Sequence, residues 1–228
     1  MIDRPSPQGH EHSDARFADV LQVPNLREVR RRFPLLVVGV GLLGVSIAAS
    51  VRAKLGLAPW DVFHQGVSRV THLSLGVVIV LVGLVVLVAW IPLRQRLGFG
   101  TVLNALSVGF LANLGLAVLP VPHRLVVRSA LLVAAIVGMA LGTGLYIGSG
   151  LGPGPRDGLT TAITARGYRL WAVRTVIELS VLILGFLLGG QIGVGTVLIA
   201  IGVGPLTHVA LRRFHLGIRD PVPEVMGE

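Results

Sequence analysis

Long apolar blocks alternate with short polar segments along this chain. Four blocks contain no Asp, Glu, Lys or Arg: residues 33–51, 70–93, 97–122 and 129–155. Because a bilayer-spanning helix needs about 20 largely apolar residues, each block is long enough for one span. A fifth uncharged run, residues 179–211, is interrupted by a glycine-rich stretch and predicts the end of one span and all of the next. The pattern predicts six spans, near residues 34–51, 73–91, 101–119, 125–147, 170–188 and 196–211.

Two further segments, residues 59–72 and 155–168, are too short to cross. At about 1.5 Å per residue, fourteen helical residues extend about 21 Å, against about 30 Å of hydrocarbon. The length favours half-helices that enter the membrane and return. Each half of the chain then has three full spans and the two halves are inverted. The alternative is that both segments cross, which gives four spans per half and parallel halves; the basic residues are divided equally well by either topology.

An internal repeat is the strongest signal in the sequence. Residues 98–111 and 193–206 share nine identities in fourteen positions. Gly56-Leu57-Ala58-Pro59-Trp60-Asp61 is likewise echoed by Gly150-Leu151-Gly152-Pro153-Gly154-Pro155-Arg156-Asp157. The spacing indicates a duplicated unit. We predict an all-α polytopic transmembrane bundle with repeats at 34–119 and 120–212, a disordered basic cytoplasmic tail at 1–33 and a cytoplasmic tail at 213–228.

Each short segment has one polar helical face. Proline fits the first helical position, and aspartate follows two residues later. Polar residues then recur at helical spacing, and at membrane depth such a face must meet protein or water. Two such faces would meet at a central cavity. The candidate substrate-binding residues are therefore Asp61, His64, Gln65, Arg156, Asp157, Thr160 and Thr161.

Alternatively, the two aspartates serve only to start their helices. A carboxylate in the first turn accepts hydrogen bonds from free N–H groups and interacts favourably with the positive end of the helix dipole. In that case Asp61 would pair with Arg52 or Lys54, and Asp157 with Arg156.

Other polar residues in the spans also leave two interpretations open. Arg174 and Glu178 are four residues apart and predict an internal ion pair, or else a coupling-proton site. Asn104 and Asn113 predict hydrogen bonds between helices, with cavity lining as the alternative. The two Gly-x-Gly-Thr motifs, at 98–101 and 193–196, predict turns with threonine as the N-cap, or helix starts that offer N–H groups to an anion.

Composition changes this picture little. The formal net charge is +9, but membrane proteins concentrate Lys and Arg in cytoplasmic loops, so the charge does not indicate nucleic-acid binding. With no cysteine, disulfides and thiolate chemistry are excluded. No metal or cofactor is predicted. We expect a multi-pass protein of the bacterial inner membrane with both termini in the cytoplasm.

The two proline-aspartate motifs, together with Gly-Val-Gly-Thr at 193–196, resemble the YczE/YyaS/YitT family of bacterial integral membrane proteins, most closely its YczE branch. The resemblance covers residues 35–211. It implies a multi-span inner-membrane protein and supplies no settled activity.

The sequence therefore predicts a transporter or permease for a small solute of unknown identity, in contact with the lipid bilayer. The alternative is a non-catalytic accessory protein that binds another membrane protein or a second copy of itself. An enzyme is not predicted, because no H-E-x-x-H, cysteine nucleophile or Ser-His-Asp pattern is present.

Overall fold

The computed structural model describes residues 26–214, and in that range the chain is a bundle of eight α-helices. Residues 1–25 and 215–228, which hold most of the two predicted tails, lie outside the described residues. The helices are α1 (Leu26–Ala53), α2 (Pro59–Thr71), α3 (Leu75–Leu93), α4 (Phe99–Val118), α5 (Leu125–Gly148), α6 (Pro155–Thr164), α7 (Leu170–Leu187) and α8 (Val194–Phe214).

Six of these helices are long and apolar enough to cross a membrane, and α2 and α6 are not. The predicted all-helical bundle with six spans and two short helices is confirmed. The boundary of the N-terminal tail differs from the prediction, since α1 begins at Leu26 rather than near residue 34. Arginines 27 and 30–32 thus belong to the first turns of a helix that continues into the apolar span.

Helices α1 and α5 form an antiparallel pair at the centre of the bundle. Gly39 packs on Gly142 and Tyr146, whereas Ser46, two turns further along α1, packs on Gly138, earlier in α5. A Cβ atom on Gly39 would lie 2.6 Å from the backbone nitrogen of Tyr146. Small residues at this contact therefore let the two backbones approach closely, as in many membrane helix pairs.

Helix α4 runs parallel to α1. Gly44 contacts Leu111, and further along both helices the Arg52 guanidinium donates to the carbonyl of Leu116. Residue numbers rise together along the contact, so α1 and α4 end at the same end of the bundle. We call this the distal end, and the end where α1 begins the terminal end.

Helix α3 runs antiparallel to α4, since Gly76 packs on Gly109 and Gly83 lies opposite Ala105. Helix α3 therefore begins at the distal end, where α1 finished. The short helix α2, which lies between them in sequence, leaves and returns to the distal end without crossing the bundle. This is the re-entrant arrangement that its length favoured.

The second half of the chain begins at the distal end. Gly144 of α5 contacts Ala210 of α8, and Gly202 of α8 lies beside Ile136 of α5, so these two helices are parallel. Since α5 is antiparallel to α1, both α5 and α8 finish at the terminal end. Phe214 thus lies at the same end of the bundle as the start of α1, and α6 returns to the terminal end.

The outer surface of the long helices is apolar. Large hydrophobic side chains that a soluble protein would bury are exposed on α3, α7 and α8, among them Leu81, Val85, Val88, Ile183, Leu187, Ile201 and Val209. Such a surface suits lipid rather than water. The protein is a multi-pass membrane protein.

Candidate functional site

The first turns of α2 and α6 meet at a cavity of about 70 Å³ near the middle of the bundle. A buried water occupies about 10–15 Å³ on this measure, so the space suits several waters or a small solute. The apolar part of its wall comes from α1, α3 and α4, and its aromatic corner from Trp60. The polar side chains of the wall are Asp61, His64, Asn104, Tyr146, Arg156 and Asp157.

The sequence builds the cavity by starting two helices there. Pro59 and Pro155 stand in the first turn of their helices, where the missing N–H costs nothing. The residues before them, Ala58 and Gly154, are extended, and neither helix has a side-chain cap. The positive ends of two short helices therefore converge on one polar space.

The loop before each short helix docks on the glycine-rich start of a long helix from the other half of the chain. Gly100 N–H donates to the carbonyl of Leu151 at 2.8 Å, and Gly195 N–H donates to the carbonyl of Leu55 at 2.8 Å. These N–H groups are therefore not available to an anion. Thr101 is not an N-cap either, because Gly98 holds that position and threonine lies inside the helix.

Asp61 has one side-chain partner in the described part of the chain. Its Oδ1 lies 3.4 Å from Nδ1 of His64, and the two side chains are 3% and 10% exposed. Neither basic residue proposed as its partner reaches it, since Arg52 instead binds the carbonyl of Leu116, and Lys54 is exposed. A deeply buried carboxylate thus faces the cavity with only a distant imidazole beside it.

The second aspartate is held differently. The buried Tyr146 hydroxyl donates to Oδ2 of Asp157. The neighbouring Arg156 guanidinium makes no hydrogen bond and no ion pair within 4.0 Å with any described residue. Asn104 is 7% exposed, and its Nδ2 atom is buried without a partner among residues 26–214. One wall therefore carries an unpaired cation and an unused amide donor.

Three predicted site residues do not line the cavity. Oε1 of Gln65 accepts a hydrogen bond from the backbone N–H of Gln191 at 2.7 Å. The hydroxyls of Thr160 and Thr161 donate to the backbone carbonyls four residues earlier, at 3.2 and 3.0 Å. Only the beginning of each polar face reaches the cavity. The residues concerned are Asp61 and His64 of α2, and Arg156 and Asp157 of α6.

Arg174 and Glu178 form an ion pair of 3.1 Å outside the cavity wall. Their side chains are 58% and 30% exposed. The two asparagines differ in role: Asn113 joins α4 to the start of α3 through Gly76 and Ser74, whereas Asn104 lines the cavity.

Tyr146 and Trp60 are the two aromatic lining residues, and the polar pattern of the sequence did not indicate them. A lone tyrosine inside an otherwise apolar span was the available signal, because a buried hydroxyl requires a partner. Among residues 26–214, no group of three or more His, Cys, Asp or Glu side chains is placed to hold a metal ion.

Comparison with known proteins defines the family. Residues 30–212 match DUF6198, a family of unknown function. The chain belongs to this family. The predicted resemblance to the YczE and YyaS proteins is confirmed by its similar relatives, described next.

An uncharacterized protein of Haemophilus influenzae is 35% identical over 192 residues, which cover 84% of this chain and 86% of the relative. The uncharacterized membrane protein YczE of Bacillus subtilis is 29% identical over 189 residues, 81% of this chain and 87% of its own. The uncharacterized protein YyaS of Bacillus subtilis is 27% identical over 180 residues, 75% and 88% of the two chains. No solved structure matches the chain.

Proposed function

We propose that this family member is a transporter or permease that carries a small polar solute across the bacterial inner membrane through the cavity between α2 and α6. The observation that carries the proposal is the convergence of two half-helix starts on one polar cavity inside an apolar bundle. Broken helices whose ends meet at the solute site are typical of secondary transporters. Charged groups at this depth are costly and are retained mainly where they serve binding or conduction.

We further propose that the fold consists of two inverted repeats. The antiparallel course of α1 and α5, the first spans of the two halves, supports this. The reciprocal bonds Gly100–Leu151 and Gly195–Leu55 support it as well, since equivalent atoms of the two motifs take equivalent roles. In such a fold, alternating access follows when one half rocks against the other around a fixed site.

The distribution of charge supports a cytoplasmic terminal end. The distal end carries five basic residues, Arg52, Lys54, Arg69, Arg124 and Arg128. The terminal end carries the arginines at the start of α1 and the end of α8, and those of the α3–α4 and α6–α7 connections. Since cytoplasmic loops are enriched in Lys and Arg, both chain termini are assigned to the cytoplasm.

Cysteine labelling tests this orientation directly, because the chain has no cysteine of its own. With a membrane-impermeant maleimide on intact spheroplasts, His72→Cys at the distal end should be labelled and Arg94→Cys at the terminal end should be protected until lysis. Both positions are exposed in the structure. If both α2 and α6 crossed the membrane with the N-terminus inside, the two results would be exchanged.

Transport is tested by removing the cavity carboxylates. Asp61→Asn and Asp157→Asn keep side-chain size, so we expect folded protein whose solute flux in proteoliposomes falls at least about tenfold, which is an increase of about 1.4 kcal/mol in the transport barrier. The flux assay uses osmotic light scattering with a panel of small polar solutes that includes glycine, betaine, glycerol, urea and ammonium.

Thr161→Val is the control, since it removes a polar group from short helix α6 outside the cavity wall. Its flux should equal that of the unaltered protein. If both cavity variants transport normally, the cavity has a structural role and the transport proposal is wrong. The alternative is then an accessory protein, which should co-purify with another membrane protein. We propose no catalytic role.

A further inference from the structure

We propose that the cavity binds a small zwitterion, a solute of amino-acid size with one ammonium and one carboxylate group. This inference rests on the proposed transport function and specifies its substrate class. Each half-helix contributes to the cavity wall one charged group without a close ion pair, Asp61 on α2 and Arg156 on α6.

The anion is Asp61. Its one side-chain neighbour within the described chain, His64, is 3.4 Å away, whereas charge-assisted hydrogen bonds are usually about 2.7–2.9 Å long. The carboxylate is almost fully buried from bulk solvent and faces the cavity, so its further donors come from whatever occupies the cavity. An ammonium group in the cavity supplies both the charge and the N–H donors that this carboxylate lacks.

Trp60 lines the cavity next to Asp61 in the sequence. An indole ring attracts cations through its π face, which favours the ammonium group on this side of the cavity. Asp157, in contrast, already accepts the Tyr146 hydroxyl, so it has less acceptor capacity left for a second cation.

The cation is Arg156, which lines the opposite helix start without an ion pair in the described structure. A guanidinium binds a carboxylate through two parallel N–H bonds. Nδ2 of Asn104, buried and unpartnered in the same wall, adds a neutral donor.

A solute with a single charge satisfies only one side. A simple cation would pair with Asp61 and leave the Arg156 guanidinium and the Asn104 amide unused, and a simple anion would leave the Asp61 carboxylate alone. An uncompensated charge in a buried site is unfavourable. The two residues do not satisfy each other, because no ion pair joins them within 4.0 Å. A zwitterion pairs both.

The test is ligand-induced thermal stabilisation of the full-length protein in nanodiscs. The probes are glycine, β-alanine and betaine as zwitterions, methylamine as the ammonium half and acetate as the carboxylate half. A ligand that binds the folded state raises Tm in proportion to the logarithm of its concentration over Kd. At least one zwitterion should raise Tm at millimolar concentration, with an affinity at least about tenfold above both single-charge probes.

The variants assign the two ends of the ligand. Asp61→Asn and Arg156→Gln should each weaken zwitterion binding at least about tenfold, and Arg156→Lys, which keeps the charge but not the forked geometry, should fall between. Thr161→Val, a change on α6 outside the cavity wall, should bind normally. Equal binding by methylamine or acetate alone, or no binding by any of the three zwitterions, would overturn the proposal. If a single-charge probe binds and is also transported, the transport function stands and only the zwitterion inference fails.

Discussion

Gly56→Ala will destabilise the protein by about 3 kcal/mol, because it combines backbone strain with overpacking, each of which costs about 1–3 kcal/mol. Gly56 has φ +124°, a conformation that side chains other than glycine rarely adopt. A Cβ atom there would lie 2.7 Å from both the backbone nitrogen and Oγ1 of Thr196. The measurement is the midpoint of chemical or thermal unfolding in detergent micelles.

Two glycines in exposed or open helical positions serve as controls. Gly41 and Gly204 have no atom within 4 Å of a Cβ position, so alanine at either site should be neutral or should stabilise the helix by up to about 1 kcal/mol. Equal stability of Gly56→Ala and Gly41→Ala would mean that the docked loop does not contribute to the stability of the bundle. Gly152, with φ +129° and Thr101 close by, should behave like Gly56.

The elements were predictable from the sequence because membrane insertion imposes a local rule. Uncharged blocks of sufficient length gave six spans, and the proline-aspartate pairs gave the starts of α2 and α6. The sequence placed the start of α1 near residue 34 because the basic residues before it were assigned to the tail. Arginine is as compatible with an exposed helical turn as with an unstructured tail, so it does not mark where the helix begins. Charge alone did not mark that boundary.

The site was predictable only in part. Thr160 and Thr161 were expected to line the cavity, yet their hydroxyls donate to backbone carbonyls of their own helix. A threonine in a helix can always donate to the carbonyl four residues back, so its polarity does not require a distant partner. A carboxylate has no proton to donate in this way, which is why Asp61 and Asp157 remain in the cavity wall.

The reciprocal docking of loops on helix starts had no sequence signal beyond glycine. The motifs Gly56-Leu57 and Gly193-x-Gly195-Thr196 are separated by more than a hundred residues, and their contact combines a backbone hydrogen bond from Gly195 with one from the Leu57 N–H to Oγ1 of Thr196. Backbone hydrogen bonds do not depend on side-chain identity, so periodicity and composition cannot reveal them. The glycines indicated only that another segment of the chain approaches closely, and they did not identify that segment.

Thr196→Val should destabilise the protein by about 1–3 kcal/mol, whereas the same change at Thr101 should have little effect. Oγ1 of Thr196 accepts the N–H groups of Leu57 and Gly193, both at 3.2 Å, in a site that is 4% exposed. Valine has the same shape but no oxygen, so the buried N–H of Leu57 and the partly buried N–H of Gly193 lose their acceptor. Leaving the buried group unsatisfied costs about 1–3 kcal/mol, and the partly buried group can turn to water.

Thr101 is the equivalent residue of the other motif, and its Oγ1 is buried with no partner in residues 26–214. Replacing an unsatisfied hydroxyl by a methyl group of the same shape removes a desolvation penalty, so Thr101→Val should be neutral or stabilising. Unfolding midpoints of the two variants, measured side by side with Thr196→Ser as the rescue, separate lost hydrogen bonds from altered packing. Equal losses of stability in Thr101→Val and Thr196→Val would contradict the prediction. They would show that the hydrogen bonds of the Thr196 hydroxyl add nothing beyond the packing that both threonines share.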